Sequence, residues 1–192
     1  MLELQPLQTK KIDMSPNSMI KQTFFIILLS VMAYSPAHAG SKMLDSLFMD
    51  LKHASSEQQA RKLEQVIWKQ WMQSGDDVID ELMQEAMQKR RSYDFNGAIE
   101  VLNKVIKKKP DYAEGWNQRA TVYFHQEKYD KSLIDIAKTL ELEPRHFGSL
   151  AGRAVIRLRQ NKPALAMQNI IHALKFNPYL KEKNFFPNLT QV

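Results

Sequence analysis

The stretch "AEGWNQRATVYFHQEKYDKSLIDIAKTLELEP", residues 113–144, decides the fold of this chain. It ends at Pro144, and two further prolines, Pro110 and Pro178, lie 34 residues before and after it. Proline has no backbone N–H and its ring clashes with the preceding turn, so it ends a helix. Three helix ends at one interval predict a structural unit that is repeated every 34 residues.

Other residue types keep the same period. When Ile79, Ala113 and Phe147 are taken as first positions, six columns agree across the three blocks without a gap. Positions 8 and 20 carry small residues: Ala86, Ala120 and Ala154, then Ala98, Ser132 and Ala166. Positions 4, 24 and 28 carry large apolar residues. Small residues let two antiparallel helices approach closely and large ones fill the space between neighbouring pairs, so the columns predict an all-α array of helix pairs.

This pattern resembles the tetratricopeptide repeat. The signature places of the middle block hold Trp116, Ala120, Tyr123, Tyr129, Ser132, Ile136 and Pro144. The resemblance implies a right-handed superhelix of three repeats at residues 79–112, 113–146 and 147–180. Two columns depart from the family: the usual glycine of the inter-helix turn is replaced by Tyr93, Glu127 and Asn161, and position 7, often apolar, holds Glu85, Arg119 and Arg153.

Residues 40–78 precede the repeats and contain two amphipathic stretches. The first has apolar residues at Leu44, Leu47, Phe48 and Leu51, and the second begins near Ser56 and runs through Ala60, Leu63, Ile67 and Trp71. We expect a helix pair that covers the open face of the first repeat as an N-terminal cap, because an array must cover its ends. In the tail, 181–192, Phe185 and Phe186 are expected to cover the last repeat.

Residues 19–39 have the parts of a secretion signal. A lysine precedes an apolar run, and Ala37-His38-Ala39 offers the small-x-small pattern at which such signals are cleaved, with Gly40 as the first mature residue. Residues 1–18 form an upstream extension, with Met14 or Met19 as a better start site. We therefore expect an exported protein, periplasmic or secreted outside the cell, without a stable membrane span after cleavage. The composition resembles that of small secreted repeat proteins of Gram-negative bacteria.

The composition and motifs argue against several function classes. The chain has no cysteine, which excludes disulfides, thiolate catalysis and cysteine-ligated metals. It has no metal-binding histidine pair, no phosphate-binding loop and no dinucleotide-binding glycine pattern, so we predict no enzyme, no cofactor and no metal. The net charge is +6. Nucleic acid is not expected as a partner, because the run Lys107–Lys109 is explained by its place at a helix end.

The resemblance implies that the first helix of each repeat lines a concave, partner-binding surface. The candidate residues are Met83, Met87, Arg90 and Arg91 in the first repeat, Asn117, Thr121, Phe124 and His125 in the second, and Val155, Leu158 and Arg159 in the third. The column Arg91, His125 and Arg159 favours an acidic partner, with His125 charged in acid. The family's clamp for acidic carboxyl termini is not expected, because Met83 and Met87 stand at its first two places.

The predicted function is that of an exported module for protein–protein interaction, which holds a peptide or protein partner in its groove without turnover. A secreted factor that acts outside the producing cell is the first alternative. A hydrolase is the second, although the sequence offers no catalytic motif for it.

Overall fold

The computed structural model describes residues 38–186. The predicted upstream extension, the signal peptide up to residue 37 and the tail from residue 187 lie outside the described residues. From Gly40 onward the chain forms one compact unit, which is described here by itself. No helix within residues 38–186 has the length and apolar character needed to cross a membrane.

The described residues form eight α-helices, one short 3-10 helix and no strand. The α-helices are α1 (His38–Lys52), α2 (Glu57–Trp71), α3 (Asp77–Arg91), α4 (Phe95–Lys108), α5 (Ala113–His125), α6 (Tyr129–Leu142), α7 (Phe147–Arg159) and α8 (Pro163–Leu174), and the 3-10 helix spans Lys181–Phe185. The pairs α3–α4, α5–α6 and α7–α8 are the three repeats. The predicted all-α architecture is confirmed.

The small-residue columns lie where the two helices of each repeat touch. The three residues at position 8 and the three at position 20 are all buried, with exposures of 2% or less. In the second repeat the position-20 residue is Ser132, and its hydroxyl donates a hydrogen bond of 2.8 Å to the carbonyl oxygen of Ala120. The close approach of the two helices therefore also gives Ser132, the one polar side chain in these columns, a hydrogen-bond partner.

The turn inside each repeat has a left-handed residue at position 15. Tyr93, Glu127 and Asn161 have φ angles of 63°, 58° and 56°. These are the three residues that stand where the family has glycine. The turn thus keeps a glycine-like backbone without glycine, and each non-glycine residue there carries a conformational cost.

The unusual arginines at position 7 join the two helices of their own repeat. Arg119 donates to both carboxylate oxygens of Asp135, at 2.8 Å each, and Asp135 is buried. In the third repeat, Arg153 donates to Asn169 at the same separation of 16 residues. The hydrogen bond with Asp135 raises the pKa of Arg119. Polar pairs therefore replace an apolar contact in these two repeats.

The N-terminal helices pack on the third repeat, and the prediction that they cover the first was wrong about their position. Phe48 and Leu51 of α1 and Ile67 and Trp71 of α2 share one core with Phe147, Leu150, Ala154, Ala166 and Ile170. The core of the first repeat is built from its own helices and Tyr112, with Val122 from the second repeat. The apolar and aromatic side chains at the end of the third repeat favour this packing, because it removes them from water.

The two phenylalanines of the tail differ in burial. Phe186 is 5% exposed and belongs to the core of the third repeat, whereas Phe185 is 62% exposed. Phe176, at the end of α8, meets Phe48 of α1 with ring centroids 6.1 Å apart. The prediction that both phenylalanines cover the last repeat was therefore wrong for Phe185, since helix α1 supplies much of that cover.

Candidate functional site

The third repeat and its neighbours enclose a cavity of about 610 Å³. Its floor is formed by small and apolar side chains of α5 and α7, among them Ala120, Gly148, Ala151 and Gly152. One wall is Glu64 and Trp68 of α2, and another is the tail segment Leu180, Lys181, Glu182 and Phe185. We call this cavity the groove. Helix α3 of the first repeat contributes no lining residue.

Two glycines of α7 shape the groove in different ways. A Cβ atom built on Gly148 would lie 2.6 Å from Cη2 of Trp68, which is closer than carbon atoms approach. Gly148 is therefore what lets the indole of Trp68 lie against α7. At Gly152 the nearest atom to such a Cβ is Cδ1 of Ile136 at 3.9 Å. A side-chain methyl group would fit there, so this glycine only leaves space at the floor of the groove.

A buried polar network lies behind one end of the groove, where the second and third repeats meet. Glu114 of α5 accepts hydrogen bonds from Gln118 at 2.5 Å and from Asn117 at 3.1 Å. The ring of His146 contacts the other Glu114 oxygen through Nε2 at 2.9 Å. Ser149 of α7 then donates to Asn117 at 2.7 Å. All five residues are buried, so the network holds α5 and α7 in one relative position.

The ring of His146 has a defined role in this network. The backbone N–H of Ser149 donates to Nδ1 at 3.1 Å, which caps the start of α7. Because Nδ1 accepts this bond, the ring proton lies on Nε2, which donates to Glu114. Trp71 of α2 stacks on the same ring at 4.1 Å with an interplanar angle of 9°. One histidine therefore connects the second repeat, the third repeat and the N-terminal helices.

The network reaches the first repeat through Arg90. This arginine donates a hydrogen bond of 2.7 Å to the side-chain oxygen of Gln118. Burial lowers the pKa of Arg90, and the nearby charge of Glu114 opposes that shift. The sequence analysis did not predict this network, because the residue types at the positions of Glu114 and His146 do not recur in all three repeats. Arg90 was predicted to face a partner, whereas it is half-buried and tied to Gln118.

The structure brings only part of the predicted concave set to the groove. The lining includes five of these residues: Asn117, Thr121, Phe124, His125 and Val155. Met83 is 1% exposed in the core of the first repeat, so its predicted place on the binding surface was wrong. Met87 and Arg91 do not line the groove, and Leu158 packs against the core shared with the N-terminal helices.

The column of Arg91, His125 and Arg159 is divided in the same way. His125 lines the groove, while Arg159 is exposed beside it, with its guanidinium carbon 5.5 Å from the ring centre of Phe124. Burial, with a smaller contribution from the charge of Arg90, lowers the pKa of His125. The imidazole is therefore neutral over a wider pH range than a free histidine, and charging it needs stronger acid than the sequence suggested.

The groove carries few charges. The charged side chains in its lining are the carboxylates Glu64 and Glu182 and the ammonium Lys181. Glu64 accepts a long hydrogen bond of 3.4 Å from the Trp68 indole. Within residues 38–186 no group of three or more His, Asp or Glu side chains could hold a metal ion. The site can bind by shape, apolar contact and a small number of polar groups.

Comparisons with known proteins give one relative in sequence and several neighbours among solved structures. No family model matches the chain. A Rhizobium etli protein named as a TPR repeat-containing protein is 38% identical over 128 residues, which cover 65% of this chain and 61% of the relative. The chain thus spans less than two thirds of that relative's length.

Two solved structures align with the chain, and the first, with a TM-score above 0.5, shares its fold. The first TPR domain of Spaghetti (RPAP3), bound to the HSP90 peptide SRMEEVD, has a TM-score of 0.55 at 18% identity, covering 59% of this chain and 90% of that one. A crystal structure of MamA has a TM-score of 0.49 at 14% identity and covers 92% of this chain and all of that one. With its 34-residue period and helix pairs, the chain has the helix-pair fold of tetratricopeptide repeat structures and is similar in sequence to a TPR repeat-containing protein.

Proposed function

We propose that this protein is an exported interaction module that binds a peptide segment of a partner protein in the groove, without catalysis. The observation that carries the proposal is the groove itself, a cavity of about 610 Å³ with a small, apolar floor. Glycine and alanine side chains leave room for a partner's backbone or apolar side chains to approach α5 and α7. The solved TPR structure with a bound peptide gives a precedent for this mode of binding.

The walls of the groove favour binding without a large rearrangement. The Glu114–His146 network fixes α5 against α7, and Trp71 packs α2 against the start of α7. A preformed site loses less conformational entropy on binding than a flexible one. This preorganisation supports recognition of a segment by shape.

The hydroxyl groups of the groove support a role without turnover. Ser149 donates to the Asn117 side chain, Thr121 to the Asn117 carbonyl, and Ser132 to the Ala120 carbonyl. A nucleophilic hydroxyl needs a hydrogen-bonded general base, and amide or carbonyl oxygens are not bases of that kind. Binding is therefore the better account of these residues than acyl transfer or hydrolysis.

Export is the second part of the proposal. The pattern Ala37-His38-Ala39 supports it, and so does the compact unit that begins at Gly40. We expect N-terminal sequencing of the protein from its native host to begin at Gly40, and fractionation to place it outside the cytoplasm. Recovery of residues 1–39 on the mature protein would contradict this part and leave the groove proposal untouched.

The groove proposal is tested by photocrosslinking in cells. A benzoylphenylalanine at Val155, in the groove, should crosslink a discrete protein that mass spectrometry identifies. The control is the same residue at Ile134, an exposed apolar position of α6 outside the groove lining. Crosslinks of equal yield and identity from both positions would contradict a partner site in the groove, as would none from Val155.

A further inference from the structure

The acidic groups of the groove indicate which kind of segment it binds. Glu182 lines the groove, and its Oε2 atom is buried without a hydrogen-bond partner among residues 38–186. Glu182 and Glu64 belong to none of the ion pairs in the described part of the chain. A buried carboxylate oxygen without a donor is costly, so a ligand that supplies an N–H donor would stabilise it.

The sign of the local charge is opposite to that of the whole chain. The chain carries a net charge of +6, yet the groove lining has two carboxylates against one ammonium, Lys181. His125 adds no positive charge near neutral pH, because burial lowers its pKa. The exposed Arg159 lies outside the lining, beside Phe124. The groove therefore complements a cation, in contrast to the acidic partner that the sequence favours.

Aromatic rings lie beside the two carboxylates. Trp68 is on the same wall as Glu64, and Phe185, with 62% of its surface exposed, is in the same short helix as Glu182. The faces of aromatic rings attract ammonium and guanidinium groups, most strongly indole faces. A partner's lysine or arginine would thus find a carboxylate and an aromatic ring on each of these two walls of the groove.

We propose that the groove binds an apolar peptide segment that carries a lysine or arginine side chain, with the cation held by Glu182 and Glu64 and the apolar part on the α5–α7 floor. This inference rests on the proposed function and names the chemistry of the partner.

The probe is a positional-scanning library of synthetic decapeptides, in which single positions are fixed as arginine, lysine, glutamate or leucine in otherwise mixed pools. Binding to the purified protein is followed by tryptophan emission, because Trp68 forms a wall of the groove. We expect pools with arginine or lysine next to leucine to bind most tightly. Added salt should weaken this binding.

Two matched variants locate the cation. Glu182→Gln should weaken the best basic peptide by about five- to tenfold, since it removes one partly buried charge-assisted contact. Glu100→Gln makes the same change on the exposed face of α4, outside the groove, and should leave binding unchanged. Circular dichroism of both variants should match the parent protein.

The possible results separate this inference from the proposed function. Preference for glutamate pools would overturn the inference and leave a peptide-binding groove. Binding of basic pools that Glu182→Gln does not weaken would overturn the assignment of the cation to this carboxylate. If no pool changes the tryptophan emission or binds in a parallel calorimetric titration, the proposed function is contradicted as well.

Discussion

The two ends of the repeat array are built differently. The core of the first repeat comes almost entirely from α3 and α4, with side chains contributed by the repeat that follows it. The core of the third repeat takes in Phe48 and Trp71, from helices that precede it in the chain by more than 70 residues. Tyr179, at the end of the third repeat, also donates a hydrogen bond of 2.8 Å to the carbonyl of Ala54.

This difference explains where the groove lies. The third repeat has aromatic and apolar surface at its end, and α1, α2 and the tail return to cover it. Residues of α2 and of the tail then lie beside α5 and α7, where they form the walls of the groove. At the first repeat no such walls exist among the described lining residues. The cover of an exposed repeat end thus also creates the candidate site.

The largest expected effect comes from removing Trp71, which joins α2 to the third repeat. It packs on Phe48 and Phe147 and stacks on His146. Trp71→Ala should lower the free energy of unfolding by about 3–5 kcal/mol, as deletion of a buried aromatic side chain does. Denaturant melts followed by circular dichroism measure this change.

The matched control is Trp116→Ala, a half-buried tryptophan of α5 whose indole donates to the Pro110 carbonyl. It should cost clearly less than Trp71→Ala. Hydrogen exchange should further show that Trp71→Ala weakens protection in α7 and α8 more than in α3 and α4. Equal loss of protection at both ends would remove the contrast between them.

A smaller effect is expected at the two glycines of α7. In Gly148→Ala the new methyl group would collide with Trp68, and the unfolding free energy should fall by about 1–3 kcal/mol, a typical cost of overpacking. Gly152→Ala has room, so the higher helix propensity of alanine should make it neutral or stabilising by up to about 1 kcal/mol. If both variants were equally stable, Trp68 would not lie against Gly148.

The features that all repeats share were accessible from the sequence, whereas the features of the ends were not. A 34-residue period reports contacts between neighbours in the chain, so it predicted the helix pairs and the small-residue columns. It also marked Tyr93, Glu127 and Asn161 as replacements for glycine, although not their left-handed backbone. These contacts recur three times, which makes them visible as columns.

Docking of α1 and α2 on the third repeat occurs once, and amphipathic periodicity shows that a face is buried without showing against what. The same limit applies to the site. Phe124, His125 and Val155 were found from the family's concave positions, while Trp68, Glu64 and Glu182 come from segments outside the repeats. The Glu114–His146 pair joins residues 32 apart, and the equivalent positions of the first repeat hold Asp80 and Tyr112 instead.

The left-handed turn residues test whether the interiors of the repeats are alike. Glu127→Gly and Tyr93→Gly should each stabilise by up to about 1 kcal/mol, because glycine adopts positive φ without steric cost while adding some entropy to the unfolded chain. Asn161→Gly should change little, since asparagine tolerates this backbone. Thermal melts of the three variants should therefore rank by residue type. A ranking by position in the array would mean that the ends influence the turns.

The smallest expected effect concerns His125, on the groove side of the second repeat. Its pKa, observed by NMR titration, should lie below the ordinary value of 6.5. The unfolded chain then binds a proton more readily, so the stability contributed by neutral His125 is lost as pH falls below about 6.5. Arg90→Gln should raise the midpoint only partway, because burial is the larger cause. A midpoint at or above 6.5 would place His125 in open solvent.

The packing of the N-terminal helices on the third repeat is tested most directly by paramagnetic relaxation. The chain has no cysteine, so a nitroxide on His53→Cys, an exposed position next to Ala54, gives a single labelled site. Our account predicts strong broadening of the amides around Tyr179–Lys183, close to the Ala54–Tyr179 hydrogen bond, and little at the Tyr93–Asp94 turn of the first repeat. Stronger broadening in α3 and α4 than around Tyr179 would show that the helices cover the first repeat, and would contradict the account of the groove.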